Sequence, residues 1–112
     1  MMVERARECL RACLECHEAC LRAVTYLQAN EAAIATEHVR LLFNTAEIVR
    51  TTASLLRGDL DVAEQVARAC VQMCQRSARY CDRFPDEVTM RACSAACRSC
   101  ADECQLVVGA IA

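Results

Sequence analysis

The sequence predicts an all-α protein, an antiparallel four-helix bundle with up-down-up-down connections. The 112 residues contain two glycines and one proline, so few positions interrupt a helix. Aromatic residues make up only 4% of the chain, which disfavours a fold built from strands. Apolar residues recur at helical spacing in four long segments, and the short breaks between them favour antiparallel neighbours. We therefore expect a single domain over residues 1–112.

Helix-ending and helix-starting residues separate the four segments. The predicted helices cover about 4–28, 31–57, 60–83 and 87–110. Asn30 is the predicted N-cap of the second helix, and Gly58 ends that helix. Asp59 or Asp61 begins the third helix. A Phe-Pro pair then breaks the chain, and Asp86 is the predicted N-cap of the fourth helix.

Three of the predicted helices carry a stripe of cysteines. The eleven cysteines are Cys9, Cys13, Cys16 and Cys20 on the first helix, Cys70, Cys74 and Cys81 on the third, and Cys93, Cys97, Cys100 and Cys104 on the fourth. Each stripe advances by four, three and four residues, with Ser77 at the remaining position of the third helix. That spacing confines the side chains to about 60° of arc, which is the arc that a bundle turns toward its core. The thiols therefore lie where leucines usually pack.

The second helix keeps the same spacing without any cysteine. Its equivalent positions hold His38, Leu42, Thr45, Val49, Thr52 and Leu56. Because neighbouring helices run antiparallel, the three cysteine stripes overlap in height and line one shared interior. His38, Cys81 and Met90 fall near the same end of it.

Stacked thiols predict a binding site for a soft metal. Cβ atoms three or four residues apart on a helix are about 5–6 Å apart, whereas a disulfide needs about 3.5–4.5 Å. Zinc and iron–sulfur sites usually take their cysteines from turns and loops, while rows of thiolates select Cu(I). We expect several Cu(I) ions per chain on the eleven cysteines, with His38 and Met90 as further ligands at one end. The alternative is a core in which cysteine is merely a small apolar residue.

Composition argues against several other functions. The thirteen basic residues are all arginine and are scattered, so no basic face predicts nucleic-acid binding. No apolar run reaches the roughly 20 residues of a membrane span. The first residues, MMVERARE, lack the apolar core of an export signal, which predicts a cytoplasmic protein. No carboxylate lies on a stripe and no glycine-rich phosphate loop is present, so we expect no enzymatic activity.

Two other interpretations remain open from the residues. The stretch "CLECH" matches the attachment motif of c-type haem at Cys13, Cys16 and His17. That chemistry normally requires export, and the longer stripe already accounts for both cysteines. His17 lies about 60–70° from the stripe centre, at the boundary of the core. The other interpretation is a structural or redox-sensing thiol-rich bundle whose metal site is reduced or lost.

The whole chain resembles the cysteine-rich four-helix-bundle copper storage proteins of bacteria, in their cytosolic form. The stretches that carry the resemblance are "CLRACLECHEAC", "ACVQMCQRSARYC", "CSAACRSCADEC" and "FNTAEIVRTTASLL". The resemblance implies a homo-oligomeric bundle that holds Cu(I) on interior thiolates and admits ions at one mouth past His, Met or Cys. A copper chaperone or a small thiol would then deliver the ions. Thr45 and Val49 stand where that family commonly has cysteine.

Overall fold

A computed structural model of the chain describes residues 2–30 and 36–111. Within those ranges the chain forms four helices and no strand. They are α1 (Met2–Asn30), α2 (Thr36–Leu56), α3 (Leu60–Cys81) and α4 (Val88–Ile111). The predicted all-α fold is therefore confirmed.

The helices pack as a bundle in which each has two neighbours. Both α1 and α3 pack against α2 and α4. Near one end of the bundle Cys9 meets Cys104, and near the other Cys20 meets Cys93. From the first end to the second, residue numbers therefore increase along α1 and decrease along α4, so the two helices are antiparallel. The particle is elongated, 44 × 21 × 17 Å, and one buried core runs through it.

The break between α2 and α3 forms as predicted. The amide of Gly58 donates to the Leu55 carbonyl at 3.1 Å, which ends α2 in a turn. Asp59 is the N-cap of α3, since its Oδ1 accepts from the backbone N–H of Val62 at 3.2 Å. This bond satisfies one of the free N–H groups of the first helical turn.

Two predicted N-caps are wrong. Asn30 is the last residue of α1, where its Nδ2 donates to the Tyr26 carbonyl at 2.9 Å. The predicted start of the second helix near residue 31 lies outside the described residues. Asp86 precedes α4 by two residues, and the carbonyl of Glu87 accepts the bond from the Arg91 amide at 2.9 Å. The break after α3 covers residues 82–87 rather than the predicted 84–86, and the N-cap position moves to Glu87.

Apolar side chains close the core at both ends of the bundle. Toward the end of α1, Val24 and Leu27 are buried, and toward the end of α4 Val107 is buried. Val66 on α3 is only half-buried. None of the described helices has the length and apolar character needed to span a membrane.

The two aspartates before α3 and α4 provide a matched test of these helix starts. Because only Asp59 makes a capping bond, we expect Asp59→Ala to lower the free energy of unfolding by about 1 kcal/mol. Asp86→Ala should change it by less than about 0.5 kcal/mol. Urea unfolding of the two reduced, metal-free variants measures both values, and an equal loss in both would contradict the helix starts described here.

Candidate metal centre

All eleven cysteine side chains point into the bundle. Each is fully buried except Cys81, which is 1% exposed, and none forms a disulfide. The predicted inward orientation of the three stripes is thus confirmed. A core so rich in thiols is unusual because packed interiors normally rely on Leu, Ile and Val.

The thiols of α1 and α4 meet in pairs across the bundle. The four sulfur–sulfur distances are 3.3 Å for Cys9–Cys104, 3.6 Å for Cys13–Cys100, 3.7 Å for Cys16–Cys97 and 3.9 Å for Cys20–Cys93. Matched steps of four, three and four residues on two antiparallel helices produce this regular pairing. We call the four pairs, together with the thiols of α3, the sulfur column. Its upper end is at Cys20 and its lower end is at Cys9.

Helix α3 supplies the third side of the sulfur column. Cys70 lies 3.9 Å from Cys104, and Cys74 lies 4.0 Å from Cys16. Cys81 interacts with the thiol of Cys93 at the upper end. The column is therefore enclosed by α1, α3 and α4, with each sulfur close to sulfurs of another helix.

Several thiols converge closely enough to share a metal ion. Within the described residues, three groups have all their ligand atoms within 4.8 Å of one another: Cys13, Cys70, Cys100 and Cys104; Cys16, Cys20 and Cys97; and Cys16, Cys74 and Cys100. Two cysteines belong to more than one group. Neighbouring ions could therefore share a thiolate, as in a multinuclear cluster.

Helix α2 packs against the sulfur column without contributing sulfur. Leu42, Thr45, Val49 and Thr52 are all fully buried. The predicted register of this helix is confirmed by the contact of Thr45 Oγ1 with Ser77 Oγ at 2.6 Å. The fourth wall of the interior is therefore apolar or hydroxylic.

The predicted ligands at the upper end have different surroundings. Met90 is fully buried in α4, one helical turn before Cys93. His38 is half-buried and its ring stacks on Tyr80, with the ring centroids 4.2 Å apart. Tyr80 in turn meets the edge of Phe84. The described contact of His38 is therefore with an aromatic side chain of α3, and it belongs to none of the three thiol groups.

His17 links α1 to α2. Its Nδ1 lies 2.9 Å from the carbonyl oxygen of Ala46, and because that oxygen only accepts, Nδ1–H donates. Cys13 and Cys16 are fully buried against other thiols. In the "CLECH" stretch, the two thiols therefore contact thiols of α4 while the histidine contacts the backbone of α2, which argues against haem attachment.

Contact between the thiols shifts their ionisation in both directions. Hydrogen bonds from Cys104 and Cys13 lower the pKa of Cys9 from 9.0 to about 5. The pKa of Cys74 is raised, mainly by hydrogen bonding with Cys100 and then by other thiols and burial. The pKa of Cys97 is also raised, mainly by hydrogen bonding with Cys16 and then by other thiols and burial. A thiolate in the column is stabilised by neighbours that must then keep their protons.

Two contacts of the site could not be read from single positions in the sequence. The stripe positions of Thr45 and Ser77 were apparent, but their mutual hydrogen bond depends on how α2 and α3 align. The stack of His38 on Tyr80 likewise joins residues far apart in the chain. The sequence signal for it was limited to an aromatic residue beside Cys81.

Known proteins share this architecture over nearly the whole chain. The family model described as copper storage protein (Csp) matches residues 1–109. A structure of copper loading to a cytosolic copper storage protein from Streptomyces lividans, with five coppers, has a TM-score of 0.89 and 28% identity, covering 96% of this chain and 95% of that one. A Streptomyces lividans copper storage protein loaded with 10 copper equivalents has a TM-score of 0.87 and 28% identity, covering 95% and 85%.

A protein from Nitrosospira multiformis is also similar, with a TM-score of 0.83 and 27% identity over 96% of this chain and 97% of that one. No curated protein shows a significant match. The similarity to these solved structures extends across all four helices.

The raised pKa values predict that the metal-free protein loses stability at alkaline pH. Cys74 and Cys97 keep their protons in the folded state, whereas in the unfolded chain they ionise near pH 9. Unfolding then releases protons, so each such thiol lowers the free energy of unfolding by about 1.4 kcal/mol per pH unit above pH 9. The lowered pKa of Cys9 has the opposite effect at lower pH: it raises the free energy of unfolding as the pH increases from about 5 to 9. Above pH 9 this contribution stays constant.

Urea unfolding of the reduced protein at about pH 8 and about pH 10 measures this loss. A Cys74→Ser, Cys97→Ser variant should show a smaller loss over the same range. Equal stability at the two pH values would contradict the ionisation behaviour described for the column.

Proposed function

The chain belongs to the copper storage protein family, and on this basis we propose that it stores several Cu(I) ions on the thiolates of its sulfur column. The observation that carries the proposal is the close contact among the buried thiols of three helices. The proposed ligands are Cys9, Cys13, Cys16, Cys20, Cys70, Cys74, Cys81, Cys93, Cys97, Cys100 and Cys104, with His38 and Met90 at the upper end.

Charge balance supports a high capacity. A buried anion is costly unless a cation accompanies it. When Cu(I) binds a thiol, the thiol releases its proton, and the single positive charge of the metal then balances the negative charge of the thiolate. The interior therefore stays neutral as long as ions and thiolates are equal in number. A divalent metal would leave excess positive charge unless it took two thiolates per ion.

The choice of Cu(I) follows from the donor atoms. The column presents soft sulfur ligands, and the buried stripe side chains of α2 offer only hydrocarbon and two threonine hydroxyls. Soft thiolates favour Cu(I), whereas Mg²⁺ and Ca²⁺ require oxygen. A thiolate can also bridge two Cu(I) ions, which suits the cysteines shared between the thiol groups.

Storage on these terms needs no catalytic group, and we include a non-enzymatic role in the proposal. We place the protein in the cytoplasm, where thiols stay reduced, in line with the cytosolic Streptomyces lividans protein. We further propose a homo-oligomer, supported by exposed apolar side chains such as Phe43 and Leu106. A copper chaperone or a small thiol would deliver the metal to this single-domain bundle.

We propose that copper enters at the upper end of the column. Val24 and Met90 are buried just beyond the last thiols there, and Met90 provides a thioether. The lower end is closed by Leu56, Ala67 and Val107, which offer no ligand. An ion passing the upper end can exchange one soft ligand for the next, while the described side chains that close the lower end are hydrocarbon.

Copper capacity is the direct test of the storage role. Anaerobic titration of the reduced protein with Cu(I), then desalting and metal analysis, should give several ions per chain, up to about one per thiol. A variant with the four cysteines of α4 changed to serine should lose most of this capacity, because α4 supplies one sulfur to each of the four α1–α4 thiol pairs. Retention of one copper or none by the unaltered protein would contradict storage.

Loading kinetics test the proposed mouth. We expect Met90→Leu combined with His38→Ala to slow copper uptake from a chelated Cu(I) donor while leaving the final copper count almost unchanged, since the thiols remain. His17→Ala is the matched control, because that histidine contacts Ala46 away from the mouth. Stopped-flow absorbance follows the loading. Uptake at the unaltered rate in the double variant would place the mouth elsewhere.

A further inference from the structure

Two hydroxyl groups interrupt the sulfur column on one side at mid-height. On the α3 stripe, Ser77 occupies the position between Cys74 and Cys81. Its Oγ lies 2.6 Å from Oγ1 of Thr45, and both side chains are fully buried. Sulfur on the α3 stripe therefore stops at Cys74 and resumes at Cys81, whereas the stripes of α1 and α4 have a cysteine at all four positions.

The hydroxyl pair is already satisfied by its own hydrogen bonds. Thr45 Oγ1 donates to the Leu41 carbonyl at 2.9 Å. Since its proton is used there, Ser77 donates to Thr45 Oγ1. Neutral hydroxyl oxygen is also a hard ligand that Cu(I) disfavours beside thiolate. The pair therefore leaves a gap in the soft lining of the column.

Sulfur contacts divide the remaining thiols into two sets. The upper set is Cys20, Cys81, Cys93 and Cys97, and the lower set is Cys9, Cys13, Cys70, Cys74, Cys100 and Cys104. Cys16 is 3.7 Å from Cys97 in the upper set and 4.0 Å from Cys74 in the lower set. It forms one close thiol group with each set. Cys16 is thus the sulfur that joins the two sets.

We propose that the column binds copper as two clusters, one in each set, that share the thiolate of Cys16. This proposal rests on the proposed storage function and assigns its metal sites. The upper cluster has four thiols of its own beside the mouth, and the lower has six. Copper reaches the lower cluster by passing Cys16, because the hydroxyl pair offers no soft ligand on the other side.

The division predicts two steps in an anaerobic titration with Cu(I), read by the ultraviolet absorbance of the copper–thiolate bonds and by retained copper. Cys16→Ser should remove ions from both clusters, a loss of about two coppers, because a shared thiolate bridges an ion on each side. Cys9→Ser is the matched control. It removes a thiol from the lower end, so it should cost about one copper and leave two steps.

Restoring the missing thiol should merge the clusters. Ser77→Cys supplies the missing sulfur on the α3 stripe between Cys74 and Cys81, so we expect a single filling step and at least about one additional copper. Ser99→Cys adds an exposed thiol on α4 and should leave the two steps unchanged. Circular dichroism verifies the helical content of each variant. Cys16→Ala replaces Cys16→Ser in the test if the serine variant loses helix.

The outcomes separate this proposal from the storage function. Failure of the unaltered protein to retain more than one copper would overturn storage itself. Retention of several coppers in one step, with equal losses in Cys16→Ser and Cys9→Ser, would leave storage standing and overturn the division. Absence of any change in step number for Ser77→Cys would also overturn it.

Discussion

Eleven thiols share one buried interior, and the rest of the structure depends on keeping that interior electrically neutral. Protonated thiols pack as small apolar groups, so the bundle can fold around them. Thiolates in the same place would repel one another with little water to screen them. A monovalent soft cation resolves this conflict because it replaces the proton one for one. The fold and the cargo are therefore matched by charge as well as by ligand type.

The four helices differ in what they contribute to folding and to metal binding. Helices α1, α3 and α4 line the sulfur column, while α2 supplies bulk through Leu42 and Val49. Leucine and valine bury more apolar surface than cysteine, and that burial favours folding before any metal arrives. Because α2 carries no thiol, the sulfur column lies among α1, α3 and α4. The hydroxyl pair of Thr45 and Ser77 adds a finer subdivision along the column.

The features set by periodicity were predictable from the sequence. A stripe that advances by four, three and four residues has one orientation on a helix, so the burial of Cys13 or Cys97 follows from spacing alone. Antiparallel packing then determined which thiols meet. Helix ends were less predictable, because Asn30 and Asp86 have side chains suited to capping but the chain turns at other residues. The partner of His38 depended on the rotation of α2 against α3, which no local pattern specifies.

The location of bound copper tests the account most directly. A crystal structure of the reduced, copper-loaded protein, with anomalous scattering recorded at the copper edge, would reveal each ion and its ligands. The account predicts ions in a row between α1, α3 and α4, held by the cysteine sulfurs, with a break in the row beside Thr45 and Ser77. Copper bound mainly by surface carboxylates or by His17, with the sulfur column unfilled, would contradict it.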